Sequence, residues 1–330
     1  MNKVRLGIIG CGGIMDGFHA EHLKTFDDIE VVAVADPVEE RRAAVAKKLG
    51  AKKLYADHRA LYDGEHDLDA VYICVPPSCH EGTEEPAVER GWSFLVEKPM
   101  TLSADHADAL AAAIAKKGIV TQVGFQDRYL DVTDRMRAEL PKMQTGIVYG
   151  SWIGGIPGVA WWRKMATSGG QLVEQNIHLV DMLRYLFGEP KTAYAAQGRG
   201  IITQEICPGY DVPDYSTAVI TFESGVIATL FTACYIGEDG SGIRSGLTII
   251  GRDQSMEYDL RSSLRVCKRG EETLLKVKVD QGMIEDRAFI DAVKKHDPAA
   301  VRSPYGDAAK SLKLALAINA SMSSGQPVQL

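Results

Sequence analysis

Three groups of residues have the types and spacing to do chemistry. The first is Gly10-Cys11-Gly12-Gly13-Ile14-Met15, between an apolar run and a helical pattern. Gly10 permits a tight turn, and Gly12 lets the backbone approach a pyrophosphate. The helix that the motif opens would offer unpaired N–H groups and a positive dipole end. Gly10, Cys11, Gly12, Gly13 and Ile14 are therefore the candidate pyrophosphate-binding residues. Met15 stands where Gly or Ala is usual, which predicts looser helix–strand packing. Asp36 closes the next apolar run, at the spacing of a carboxylate that binds a ribose 2′-hydroxyl and repels a 2′-phosphate. This favours NAD over NADP, with NADP left open. Arg41 and Arg42 follow; either would soften the preference, but they read as a solvated helix face.

The second group is Glu97-Lys98-Pro99, at the end of another apolar run. Parallel α/β sheets bind ligands at the carboxyl ends of their strands, so Lys98 is expected in the cofactor crevice. Beside an oxidised nicotinamide, an amine has a positive neighbour that eases loss of its proton. It could then exchange that proton with an alcohol or carbonyl. The bland alternative is a surface lysine paired with Glu97. The third group follows Ser168-Gly169-Gly170-Gln171, which resembles a capping box opening a helix. Leu172, Leu179, Leu183 and Leu186 form one stripe, and Glu174, His178, Asp181 and Tyr185 lie opposite. That face is either solvated or a proton relay in which carboxylates orient an imidazole. No metal is expected: hydride transfer to a nicotinamide needs none, and no further ligand cluster is visible.

These groups need elements to hold them. Val4–Ile9, Val31–Ala35, Ala70–Val75, Phe94–Val96 and Ile119–Phe125 read as strands buried on both faces. Helical patterns at Glu39–Leu49, Thr83–Arg90 and Ala104–Lys117 alternate with them. The expectation is a doubly wound parallel Rossmann domain over residues 1–125. Residues 126–330 read as a second, α+β domain, to which the family likeness described below adds substrate binding and oligomerisation. Its strands are expected at Val148–Ile153, Ala193–Gln197, Thr217–Phe222, Val226–Tyr235, Leu247–Gly251 and Ser263–Lys268, in a large, mostly antiparallel open sheet. Two helices, Gly170–Phe187 and Tyr305–Met322, interrupt it, and the second is allowed to pack back on the first domain. The fold class is α/β.

Composition excludes several classes. The chain has 330 residues with 45% hydrophobic and 25% charged, a globular balance. A net charge of −7 repels phosphate backbones, so nucleic acid and anionic membrane are poor partners. No apolar run is long enough to span a bilayer. The six cysteines lack paired spacing, which fits free thiols in a reducing compartment. Lys3 and Arg5 precede too short an apolar run for a secretory signal, so a cytoplasmic location is expected.

Taken together, the chain resembles the glucose–fructose oxidoreductase/inositol dehydrogenase family, Gfo/Idh/MocA, over nearly its whole length. The residues that carry the likeness are Gly-Ile-Ile-Gly-Cys-Gly-Gly at 7–13, Val-Pro-Pro-Ser-Cys-His at 75–80 and Glu-Lys-Pro at 97–99. Gly-Phe-Gln-Asp-Arg-Tyr at 124–129, the Ser168–Asp181 segment and the small residues before Gly325 add to it. The resemblance implies an NAD(P)-dependent oxidoreductase acting on a sugar, sugar derivative or cyclitol. It implies Lys98 as the catalytic lysine and His178 as the catalytic histidine, with open-sheet contacts giving a homodimer or homotetramer. Glu174 falls where that family commonly has an aspartate, and Gln126 replaces the usual asparagine.

The cofactor would then lie against Gly10–Gly13, Asp36, Pro76, His80, Glu97, Lys98 and Gln126. The substrate would meet Lys98, Glu174, His178, Trp162 and Arg163, because aromatic faces cover sugar C–H faces and a guanidinium binds hydroxyls or a carboxylate. Trp161 is a weaker candidate. Two other classes share these motifs. One is a redox-neutral lyase or glycosidase using transient oxidation, and the other a non-catalytic dinucleotide sensor.

Overall fold

The computed structural model describes residues 3–80, 82–237 and 243–330. The chain divides into two compact units. The first comprises Met1–Tyr129 with Asp280–Ala309, and the second Leu130–Val279 with Lys310–Leu330.

The first unit is built on six parallel strands: β1 (Val4–Ile9), β2 (Ile29–Ala35), β3 (Lys53–Tyr55), β4 (Ala70–Ile73), β5 (Ser93–Val96) and β6 (Thr121–Val123). Their order is β3-β2-β1-β4-β5-β6. β4 and β5 are buried along their whole length, as helices on both faces of a parallel sheet demand. The strand order turns back between β1 and β4, the place where such folds bind ligands. Local chemistry sets the helix ends. The Ala104–Lys117 helix starts at Ser103, whose hydroxyl accepts the His106 N–H, and stops at left-handed Gly118. β3 and the His58–Gly64 helix were not foreseen. β3 is a three-residue edge strand with exposed Lys53 and Leu54, so it carries no buried apolar run to betray it.

The returning segment supplies a helix, Gln281–Lys295, capped by the Asp280 carboxylate accepting the Met283 N–H. Phe289, Ile290, Ala292 and Val293 join the core cluster of β1, β2 and β4. Asp28, just before β2, ion-pairs with Arg287 at 2.9 Å and Lys294 at 2.6 Å on this helix.

The second unit carries nine strands: β7 (Thr145–Ile153), β8 (Pro190–Gly198), β9 (Tyr215–Phe222), β10 (Ile227–Ala233), β11 (Gly246–Gly251), β12 (Gln254–Asp259), β13 (Ser263–Lys268), β14 (Glu271–Lys276) and β15 (Val328–Gln329). The order is β14-β13-β12-β11-β7-β10-β9-β8-β15. Among the described residues only β7 and β10 of this sheet pair in parallel, so the expected mostly antiparallel sheet is present. Ala193, Ala218, Ile220, Ala228, Leu230, Leu247 and Ile249 are buried on one face. On the other face Ile147, Tyr149, Val219, Ile227, Phe231 and Ile250 are exposed, and Ile147 lies in register with both Ile227 and Ile250.

Two expectations here are corrected. The helix expected over Gly170–Phe187 is two pieces, Gln171–Glu174 and Ile177–Phe187. The capping box does not form. Gly169 and Gly170 both have positive φ, +72° and +83°, so Ser168 ends the preceding Met165–Ser168 helix. Its hydroxyl donates to the Lys164 carbonyl and accepts the Gly170 N–H. Among the described residues, no helix is long and apolar enough to cross a membrane.

Candidate active site

The glycine turn follows β1 directly. Gly10 has φ +87°, and a Cβ there would lie 2.4 Å from the Cys74 carbonyl oxygen, so only glycine fits. Gly12 and Gly13 have nothing within 4 Å of a built Cβ, which leaves their backbone open to a ligand. The chain then enters a π-helical turn, Met15–His19, ahead of the Ala20–Leu23 helix. Met15 is fully buried, and the wider turn accompanies its bulk where Gly or Ala is usual.

Asp36 directly follows β2, beside this turn. One carboxylate oxygen accepts the Cys11 N–H and the other the Val38 N–H, each at 2.8 Å. The acid therefore organises the glycine turn itself, a role the sequence spacing does not reveal. Each oxygen keeps acceptor capacity for a ribose hydroxyl. Arg42 donates to the Asp36 and Pro37 carbonyls, while Arg41 is exposed. Burial, and then the Asp36 charge, push the Cys11 thiol up to about 12, so it is an inert structural residue. An open backbone cradle, a helix start and a buried carboxylate suit the pyrophosphate and ribose of NAD.

The neighbouring strand ends carry the other cofactor candidates. Pro76 precedes a short turn, Pro77–Cys79. His80 is buried, and its Nδ1 bonds to Glu84. Burial raises the Glu84 carboxyl above its ordinary value despite that imidazole. Gln126 is buried, and its side-chain oxygen accepts from Gln281 at 2.9 Å. Glu97, 5% exposed, directly follows β5. Its Oε2 accepts the Lys98 backbone N–H at 3.1 Å, and Lys98 itself is half-buried before a cis Pro99.

Glu97 also belongs to a chain of buried groups that the sequence reading did not find. Its Oε1 lies 3.2 Å from His19 Nε2. His19 Nδ1 lies 2.8 Å from Asp286 Oδ1, and His22 Nδ1 lies 2.7 Å from Asp286 Oδ2. His22 Nε2 is 3.5 Å from Asp280, at the protein surface. Glu285 is fully buried, and burial, then the Glu97 and Asp286 charges, push its carboxyl well above its ordinary value.

In the second unit, Glu174, His178 and Asp181 are all buried, which removes the solvated-face reading. Glu174 ends the short Gln171–Glu174 helix, and His178 lies in the first turn of the next. They therefore do not share the continuous helical face expected of them. The His178 ring stacks on Trp152, centroids 5.8 Å apart, and the Arg261 guanidinium lies 5.6 Å from the centroid of that indole. Trp152 went unnoticed because it sits near the end of β7, with nothing local to mark it. Asp181 accepts a hydrogen bond from Ser311 at 2.6 Å. Trp161 and Trp162 stack at 6.1 Å. Arg163 donates to the carbonyls of Pro157 and Gly158, so much of its fork is spent on its own loop.

Residues 4–125 match the oxidoreductase family with an NAD-binding Rossmann fold, and residues 146–257 match the Gfo/Idh/MocA C-terminal domain. The chain is 31% identical to a scyllo-inositol 2-dehydrogenase (NAD(+)) of Bacillus subtilis. That match covers 68% of this chain and 65% of the relative, just under two thirds of its length. A myo-inositol 2-dehydrogenase of Thermotoga maritima is 26% identical over 99% of this chain and 98% of its own. The fold is shared with a levoglucosan dehydrogenase solved with NADH and levoglucosan, at a TM-score of 0.85, 20% identity and 99% coverage of both chains.

Proposed function

Because this chain belongs to the Gfo/Idh/MocA oxidoreductase family, we propose that it is an NAD-dependent dehydrogenase acting on a ring hydroxyl of a sugar, sugar derivative or cyclitol. The observation that carries this reading is the Gly10 turn organised by Asp36 at the β1–β4 switch point, with Glu97-Lys98 at the next strand end. The inositol dehydrogenases among its relatives support a polyhydroxylated ring as substrate.

Bound NAD supplies a hydride acceptor. The Gly10–Ile14 backbone holds the pyrophosphate, and Asp36 accepts the ribose hydroxyls. Pro76, His80, Glu97 and Gln126 border the same ligand. Lys98 and His178 are the acid–base groups: one takes the hydroxyl proton as the adjacent carbon gives up its hydride. Such assistance is worth about 10²–10⁴-fold. Glu174 orients the imidazole, and Trp162 and Arg163 contact the substrate. The exposed apolar face of the nine-stranded sheet buries itself in a homodimer or homotetramer. Six unpaired cysteines support a cytoplasmic location.

The test is absorbance at the reduced-nicotinamide band while polyols, sugars and sugar acids are offered with NAD and with NADP. Substrate-dependent NADH formation is expected. Product formation with tightly held cofactor and no NADH accumulation would replace this reading by transient-oxidation chemistry. NAD binding without turnover on any polyol would replace it by a sensor.

A further inference from the structure

His19 and Asp286 take no part in the reading above, yet both are fully buried and adjoin the strand end that carries Lys98. An imidazole between two carboxylates, 2.8 Å from Asp286 and 3.2 Å from Glu97, satisfies both only as a double donor. Asp286 is also gripped by His22, so its own orientation is fixed from a second side. The packing is tight on either flank. A Cβ at Gly124 would lie 2.5 Å from Glu97 Oε1, and one at Gly282 would lie 2.7 Å from the His22 ring.

We propose that His19, anchored by Asp286, is a positioning residue that fixes the Glu97 carboxylate and, through the Lys98 N–H on its other oxygen, the segment bearing the acid–base amine. This rests on the dehydrogenase reading of Lys98. The electrostatics agree with the geometry. Burial, the largest single effect, would lower the His19 value, but the Asp286 and Cys74 charges and their hydrogen bonds together hold the ring well above its ordinary range. Burial would raise Asp286, yet the His19 charge and the bonds from both histidines hold it low. The groups facing His19 are Asp286 and Glu285 from the Gln281–Lys295 helix, Tyr72 from β4 and Cys74 just after it, Glu97 just after β5, and His22 from the Ala20–Leu23 helix.

The test uses the full chain and the polyol that reduces NAD fastest. In His19→Gln, kcat is expected to fall about 10²-fold, with polyol KM and NADH Kd within about threefold of the parent. In Asp286→Asn, the charge that retains the His19 proton is gone. The ratio of variant to parent kcat is therefore expected to rise about fivefold or more between about pH 8 and about pH 6. An unchanged kcat in His19→Gln, a flat ratio in Asp286→Asn, or equal loss of NADH binding would overturn the proposal. A wild-type measurement covers variants that fail to fold. Nitrogen-15 spectra of the His19 ring, assigned by contacts to Tyr72 and Phe18, are expected to show both nitrogens protonated at about pH 8. A neutral ring there overturns the assignment. Absence of turnover on every polyol would sink the dehydrogenase reading instead, and the ring spectrum then decides the His19 assignment by itself.

Discussion

Lys98 and His178 carry the chemical step in the proposed function, so truncating either should spare the cofactor and lose the rate. Lys98→Ala and His178→Ala are each expected to lower kcat by about 10²–10⁴-fold, with NAD affinity changed by less than about threefold. Steady-state rates and NADH fluorescence titration check this, and near-normal turnover in both variants sinks the assignment. Asp36 faces two tasks, since it holds the Cys11 and Val38 N–H groups besides its proposed ribose contact. Asp36→Ala should therefore weaken both cofactors, and NAD by about tenfold more than NADP, because only the 2′-hydroxyl gained from the carboxylate. Equal losses in the two titrations would mean that the acid shapes the turn and nothing more. At this scale the sequence was legible where chemistry is local. The glycine turn, Asp36 and Glu97-Lys98 each announce themselves within a few residues. His19 and Asp286 do not, because 267 positions separate them and neither belongs to a recognisable local pattern.

Elements place these groups, and glycines set the tolerances. Gly124→Ala would drive a methyl into the Glu97 carboxylate at 2.5 Å. Displacing that carboxylate from His19 and the Lys98 N–H should cost about 10-fold or more in kcat, measured against an unchanged circular dichroism spectrum. Wild-type kcat would show that Glu97 moves without consequence. At the far end of the network, Asp280 caps the Gln281–Lys295 helix through the Met283 N–H. Asp280→Ala is expected to remove about 1 kcal/mol of stability, read from urea unfolding. The strands of the first unit were legible because burial on both faces writes continuous apolar runs. Edge strand β3 lacked that signature, and so did β12 and β14, whose polar residues alternate with few apolar ones. The break at Gln175 and Asn176 was invisible because both are ordinary helix residues; tertiary packing interrupts the helix there. Asn176 is buried and donates to Thr232 on β10.

At the scale of the whole molecule, the returning segment is tied down electrostatically. Hydrogen bonds from Arg287, then Lys294, lower the Asp28 carboxyl from 3.8 to about 2. A depressed acid contributes stability that is present above its unfolded value and fades as pH falls through the folded one. Asp28→Asn should thus lower Tm at neutral pH, with the difference shrinking between about pH 4 and about pH 2. A constant difference across that window would show that the ion pairs add no net stability. The exposed Ile147, Tyr149, Val219, Ile227, Phe231 and Ile250 make the second whole-molecule forecast. Phe231→Glu should shift the mass seen by light scattering toward one chain, and an unchanged mass would exclude this face from assembly.

The order in which the chain is made follows from where Asp286 sits. The imidazole at position 19 leaves the ribosome long before its counter-ion. At about 5–20 residues per second, those 267 positions amount to roughly a quarter of a minute to a minute. Through that interval the nascent nucleotide-binding half lacks Phe289, Ile290 and Val293 from its interior, and an apolar gap stays open. Completion of the first unit's core is therefore a late event in biosynthesis, and premature termination anywhere before the last fifth of the message leaves that core without these side chains.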